Sequence, residues 1–189
     1  MSRRPRKPSE AERRLPGDLD REAALARLLR VDQAGEFGAL QIYKGQLAVL
    51  AGTASEAPIR EMAEAERQHL ETFDRLVVER GVRPTALTPV WRAAGFVLGA
   101  GSALLSERHA MACTAAVEEV IDGHYRRQAE GLGPEEAELK ATLEAFRAEE
   151  AGHRETALQH DAARAPAYAP FARAVRAGTR LAIWLSERV

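Results

Sequence analysis

Read at alternating steps of three and four, the segment from Ile59 gives Ile59, Met62, Glu66, His69, Phe73 and Leu76. This is the apolar stripe of a core-facing helix with a carboxylate and an imidazole in its middle. A second stripe, Leu139, Leu143, Phe146, Glu150, His153 and Ala157, is interrupted in the same way. Burying an unpaired carboxylate is costly, so the chain must fold to bring these groups to something that compensates them. Two further stripes supply one acid each: Glu36 among Leu40, Tyr43, Leu47 and Leu50, and Glu118 among Met111, Thr114, Ile121 and Tyr125. Four carboxylates and two imidazoles therefore face one interior.

Hard carboxylate oxygens and borderline imidazole nitrogens suit iron or manganese, and two cations offset the burial of four anions. Four Glu and two His from four helices, with Glu-x-x-His on two of them, is the ligand set of a ferritin-like dinuclear carboxylate bundle. The expected metal ligands are Glu36, Glu66, His69, Glu118, Glu150 and His153. Core acids paired with arginines would be the alternative, and it needs four coincidences on inner stripes. Glu119 is the substitute for Glu118, one residue off the stripe, and His109 and His160 lack a Glu three residues before them. His124 and Tyr125, beyond Glu118, are the candidate catalytic residues that deliver a proton or electron; the alternative is that they fill polar positions at the end of the bundle. Tyr43 reads as packing and Cys113 as a small core residue.

Ala, Glu, Leu, Lys and Arg make up 106 of the 189 residues, while Val, Ile and Thr number only 23, so an all-α fold is expected. The length and 46% apolar content suit one domain. A lone cysteine excludes a disulfide framework and a cysteine-based metal site. A net charge of −1 argues against nucleic acid as a partner. That charge is unevenly spread: residues 1–15 carry six Arg/Lys against two Glu, residues 164–189 five Arg against one Glu, and the middle is left at −9.

Residues 1–17 read as a disordered basic tail without the apolar run of a secretory signal. Asp18 or Asp20 caps a helix to about Ala51, and a Thr53/Glu56 capping box or Ser55 starts the next, from about Pro58 to Arg80. Further helices are expected over about Pro89–Leu105, Glu107–Glu130, Glu135–Ala163 and, after breaks at Pro166 and Pro170, Phe171–Leu185. The spacing is duplicated. Glu36 to Glu66 is 30 residues and Glu118 to Glu150 is 32, while Pro89-Val-Trp-Arg92-Ala and Pro170-Phe-Ala-Arg173-Ala are offset by 81. The expectation is a single domain over 18–189 built as a tandem repeat of a three-helix unit, about 18–105 and 107–189. No stretch is apolar enough to span a bilayer. In the last helix Phe171, Val175, Leu181 and Leu185 form one face and Arg173, Arg176 and Arg180 the other, with Trp184 near the end. This pattern suits a helix lying in a membrane interface; a cap packed on the bundle or a partner-docking helix is the alternative.

The runs Arg30-Val-Asp-Gln-Ala-Gly-Glu36-Phe-Gly-Ala, Glu66-x-x-His69, Val82-Arg-Pro-Thr, Met111-Ala-Cys-Thr, Ala116-Val-Glu118-Glu, His124-Tyr125, Glu150-x-x-His153, Ala165-Pro-Ala-Tyr168 and Leu185-Ser-Glu-Arg188 closely resemble the demethoxyubiquinone hydroxylase family of ubiquinone biosynthesis. The resemblance covers about residue 20 to the end. It implies a ferritin-like four-helix di-iron bundle with two additional membrane-facing helices, segments 89–105 and 171–185. It further implies an O2-dependent monooxygenase that hydroxylates the ring of a polyprenyl demethoxyubiquinol, with two iron ions held by the six ligands above and Glu66 and Glu150 bridging. Electrons would come from a partner protein, from NADH as an external reductant, or through the quinone, since Gly99-x-Gly101 without a preceding strand is no dinucleotide fingerprint. In some lineages a lipid-binding accessory protein of ubiquinone biosynthesis is a partner. With an Arg- and Ala-rich composition and no presequence, the expected location is peripheral, on the cytoplasmic side of a bacterial inner membrane. A ferritin-like iron-handling or peroxide-reducing protein is the alternative function, and a non-enzymatic membrane adaptor a second.

Overall fold

The computed structural model describes residues 19–189, so the expected tail at 1–17 and the Asp18 cap lie outside the described residues. Among the described residues all regular structure is helical. Helix α1, Arg21–Leu50, is capped by Asp20, whose Oδ1 accepts a hydrogen bond from the Ala23 N–H at 2.7 Å. It runs unbroken through Gly35 and Gly38 for about 45 Å. Helix α2 is Glu56–Glu79, α3 Thr88–Leu105, α4 Glu107–Gly131, α5 Ala137–Gln159 and α6 Tyr168–Ser186, with 3-10 turns at Pro134–Glu136 and Ala162–Arg164.

Three local expectations are corrected. Neither expected cap of α2 forms: the Ser55 hydroxyl donates to Glu107 Oε2 at 2.6 Å, tying the starts of α2 and α4 together, and Thr53 Oγ1 donates back to the Leu50 carbonyl. Helix α5 is shorter than expected, because Pro134–Glu136 winds as a 3-10 turn and Asp161, at φ 64°, turns the chain before Ala163. Pro170 does not break α6 but lies in its first turn, where a missing N–H costs nothing.

Helix α1 packs on α2 and α3, and α4 packs on α5 and α6, while α3 and α6 do not pack on each other. The α1–α3 crossing is backbone to backbone. A Cβ on Gly99 would overlap the Ile42 carbonyl, one on Gly45 the Phe96 carbonyl, and one on Gly95 would sit 2.8 Å from the Gly38 carbonyl. This close approach buries Gly95, Gly99, Ser102 and Ala103, and leaves Val97, Leu104 and Leu105 63–75% exposed on the outer face.

Helix α6 departs from its expected face. Val175 is buried and Phe171 packs against the core, while Arg176 Nη1 reaches Glu119 Oε2 at 3.2 Å, so the first half of α6 caps the bundle. Leu181 and Trp184, at 55% and 50% exposure, stand out from its second half. No helix among the described residues is long and apolar enough to cross a membrane. Cys113 is fully buried, as expected for a small core residue.

Candidate metal centre

All six sequence-predicted ligands converge. Helices α1, α2, α4 and α5 contribute Glu36, Glu66 with His69, Glu118, and Glu150 with His153, because each acid lies on the stripe its helix turns inward. They form two overlapping groups, Glu36–Glu66–His69–Glu150 and Glu66–Glu118–Glu150–His153, with ligand atoms within 4.8 Å of one another. Glu66 and Glu150 belong to both. The four glutamates and His69 are buried, and the His153 side chain is 12% exposed.

His69 Nδ1 lies 3.5 Å from Glu36, 3.8 Å from Glu66 and 3.3 Å from Glu150, and His153 Nδ1 lies 3.1 Å from Glu66 and 3.3 Å from Glu150. Burial followed by the charge of Glu66 raises the Glu36 carboxyl well above its usual range, and burial followed by Glu150 does the same for Glu118. Burial also works against the Glu150 charge, but contacts with His153, His69 and Glu118 outweigh it and hold the group at about 2. Against the same desolvation, neighbouring carboxylates push His69 up to about 11 and His153 to about 9.

The donor set fits a pair of cations. Glu36 Oε2, both oxygens of Glu66 and of Glu150, Glu118 Oε2, and Nδ1 of both histidines are buried without a hydrogen-bond partner. Buried polar atoms are rarely left so, and eight pointing at one interior is the chemistry of a metal site. The remaining atoms are tied from behind. Tyr125 donates to Glu36 Oε1, Tyr43 donates to Glu118 Oε1 at 2.6 Å, and Glu149 Oε2 lies 3.1 Å from His69 Nε2.

Tyr125 thus reaches the site directly, whereas His124 stands behind it, its Nε2 2.8 Å from the Gln128 amide nitrogen and 3.4 Å from Asp32 Oδ1. Tyr43, read from sequence as packing, is a hydrogen-bond donor to the site; the signal was its place seven residues after Glu36, matching Tyr125 after Glu118. Glu119 is turned to Arg176, His109 meets Ser106 and the Pro166 carbonyl, and His160 is exposed, so none of the three joins the cluster.

A cavity of about 330 Å³ abuts the Glu36 end. Its walls come from α1, α3, α4 and α6, are mostly apolar, and include Asp32, Glu36, Trp91, His124 and Tyr125. Asp32 is fully buried; burial raises its carboxyl, and the His124 and Gln128 contacts pull it back. Sequence reasoning passed over Asp32, although the α1 stripe extended back from Glu36 gives Leu29 and Asp32.

Residues 23–186 match the family profile described as ubiquinone biosynthesis protein COQ7. The chain is 54% identical to a 3-demethoxyubiquinol 3-hydroxylase of Rhodospirillum rubrum, over 95% of this chain and 85% of that protein. It is 51% identical to an NADPH-dependent 3-demethoxyubiquinone 3-hydroxylase of Dictyostelium discoideum, over 87% of this chain and 77% of that protein. A Homo sapiens protein of the same name is 48% identical over 88% of this chain and 79% of its own length.

Proposed function

The chain belongs to the COQ7 family and is a hydroxylase of ubiquinone biosynthesis, and from that premise we propose that its buried cluster holds two iron ions that activate O2 against a polyprenyl demethoxyubiquinol. The observation that carries this reading is the set of eight buried, unpartnered oxygen and nitrogen atoms contributed by Glu36, Glu66, His69, Glu118, Glu150 and His153. The family match decides against the iron-handling or peroxide-reducing alternative. In the reaction, one oxygen atom of O2 enters a ring C–H bond and the other leaves as water. Two electrons and one proton come from a reductant, which we take to be a nicotinamide, NADH or NADPH, and the second proton comes from solvent. The iron pair supplies the O2 chemistry.

The protein's own residues do the rest. Glu66 and Glu150, common to both groups, would bridge; Tyr125 and Tyr43 hold Glu36 and Glu118 in place; and the apolar cavity wall keeps water from the ring. The exposed apolar side chains of α3 and of the second half of α6 support a peripheral seat on a membrane, with the prenyl tail entering between these two helices. In a bacterium this would be the cytoplasmic face of the inner membrane, where a lipid-binding accessory protein could deliver the quinol. The matching packing of α1 on α2 and α3, and of α4 on α5 and α6, supports descent of units 18–105 and 107–189 from one duplicated three-helix element, forming one domain over 18–189.

Cells lacking this protein are expected to accumulate demethoxyubiquinone, seen by mass spectrometry, and to be restored by the wild type but not by Glu150→Ala. Normal ubiquinone with no accumulation would overturn the reading.

A further inference from the structure

The cavity wall is apolar where Val31, Ile42, Leu98, Val117, Ile121 and Ile183 form it, yet it carries two polar atoms outside the metal cluster that are buried and have no partner. One is Asp32 Oδ2, an acceptor; the other is Trp91 Nε1, a donor. Leaving such atoms unsatisfied costs free energy, so a ligand that supplies the missing hydrogen bonds is strongly favoured. Asp32 is also held in place. The Gln128 amide donates to its Oδ1 at 2.8 Å and His124 flanks the same oxygen, so Oδ2 alone remains free.

The matching contact at the opposite end of the cluster shows what this arrangement replaces. An offset of 82 residues takes Glu36 to Glu118, Tyr43 to Tyr125 and Gln46 to Gln128. It also takes Asp32 to Thr114, to which Gln46 Nε2 lies 3.3 Å away, as Gln128 does to Asp32. The same glutamine contact therefore appears twice. Only at the cavity end of the cluster does it fix a carboxylate, and there His124 stands where the offset position is Ile42.

We propose that Asp32 and Trp91 recognise the substrate ring, Asp32 Oδ2 accepting a hydrogen bond from a ring hydroxyl and Trp91 Nε1 donating one to a ring oxygen. This rests on reading the cavity as the quinol site. A carboxylate accepts from a hydroxyl and has nothing to offer a carbonyl, so the pair selects the reduced quinol over the quinone. Asp32 is a specificity-determining residue, oriented by Gln128 and His124.

The test is equilibrium binding to the full-length protein loaded with redox-inert zinc, using a short-chain demethoxyubiquinol, its quinone and its dimethyl ether. The wild type is expected to bind the quinol about 10-fold or more tightly than either competitor. Asp32→Asn, which offers a donor as well as an acceptor, should erase most of that preference at unchanged metal content. With iron-loaded enzyme it should raise KM for the quinol more than it lowers kcat, and Trp91→Phe should weaken all three ligands a few-fold. The dimethyl ether comparison needs no variant, so equal binding of quinol and ether by the wild type overturns the proposal, as does an intact preference in Asp32→Asn. Ala182→Phe, which fills the cavity, separates the two readings. If it leaves binding intact, the cavity is not the quinol site; if it blocks binding while Asp32→Asn keeps its preference, only the role of Asp32 is lost.

Discussion

The two halves of the molecule, α1–α3 and α4–α6, build the sides that face the carboxylate–histidine cluster alike and their outer sides differently. Helices α1 and α4 each carry a glutamate and, seven residues on, a tyrosine that crosses to the other half's glutamate: Tyr43 to Glu118, Tyr125 to Glu36. The outer helices differ. Helix α3 is pressed backbone to backbone on α1 through Gly95 and Gly99, whereas the first half of α6 rests on α4 through Ala172, Val175 and the Arg176–Glu119 ion pair. On the proposed di-iron reading the inner set tolerates little change, because every atom would have to meet a cation. The outer layer is under no such constraint, and the Glu36 end of the cluster opens to a cavity.

Removing what the halves share should have the largest effect. Glu150→Ala belongs to both ligand groups, so metal content should fall from about two ions per chain to a small fraction and hydroxylation to background. Retention of one ion, measured by elemental analysis, would show that the halves bind independently.

The outer helices should respond in opposite senses to the same substitution. Gly99→Ala forces α3 off α1 and is expected to cost about 1–3 kcal/mol of stability or more, while Gly178→Ala on α6 meets nothing within 4 Å and should stabilise by about 0.4–1 kcal/mol. Thermal melts of the two variants check this.

The tyrosines test whether likeness of structure means likeness of role. Tyr43→Phe and Tyr125→Phe each strip a donor from a buried carboxylate and should cost similar stability, about 1–3 kcal/mol. Turnover should fall further in Tyr125→Phe, because its glutamate borders the cavity. Equal turnover losses would make the two ends of the cluster equivalent.

A smaller effect separates the histidines. His69 has Glu149 behind its Nε2, whereas the matching position in α2, 84 residues earlier, is Ala65. Glu149→Gln should weaken metal binding by about 10-fold, and the loss should fall on one of two ions in a stepwise titration.

The pH dependence of the metal-free protein is shared by both halves. Folded-state values of about 11 for His69 and about 9 for His153 lie above the unfolded value near 6.5, so the folded chain holds more protons than the unfolded one through this window. Their stabilising contribution is full below about pH 6.5 and declines as pH rises, lost through about 9 for His153 and about 11 for His69; the raised Glu36 and Glu118 carboxyls act in the same sense. Denaturant melts should show metal-free stability falling from pH 6.5 to 9, and a flat or rising profile would contradict the charge arrangement.

The convergence of the six side chains was legible because a charge on an apolar stripe has few physical explanations, and the helix order followed from the same stripes. Tyr43 was not, since a tyrosine on an inner stripe is ordinarily packing and its acceptor, Glu118, lies 75 residues away. Trp91 was beyond reach for a similar reason: whether an indole N–H is satisfied depends on a cavity that four helices make together. The α2 cap failed because the Ser55 hydroxyl is claimed by Glu107 on another helix, which no local pattern records. The face of α6 was half right, since periodicity finds an apolar side without saying whether protein or another surface covers it.

The crossed tyrosines carry one more implication. Two identical subunits meeting on a rotation axis would be compelled to present the same residue at both ends of such a cluster, so a doorway at one end would be matched by a doorway at the other. Joined in one chain, the halves escape that rule: position 32 holds an aspartate and its counterpart, position 114, a threonine. A single polypeptide can thus keep a nearly symmetric cage of carboxylates and imidazoles and still give it a front and a back.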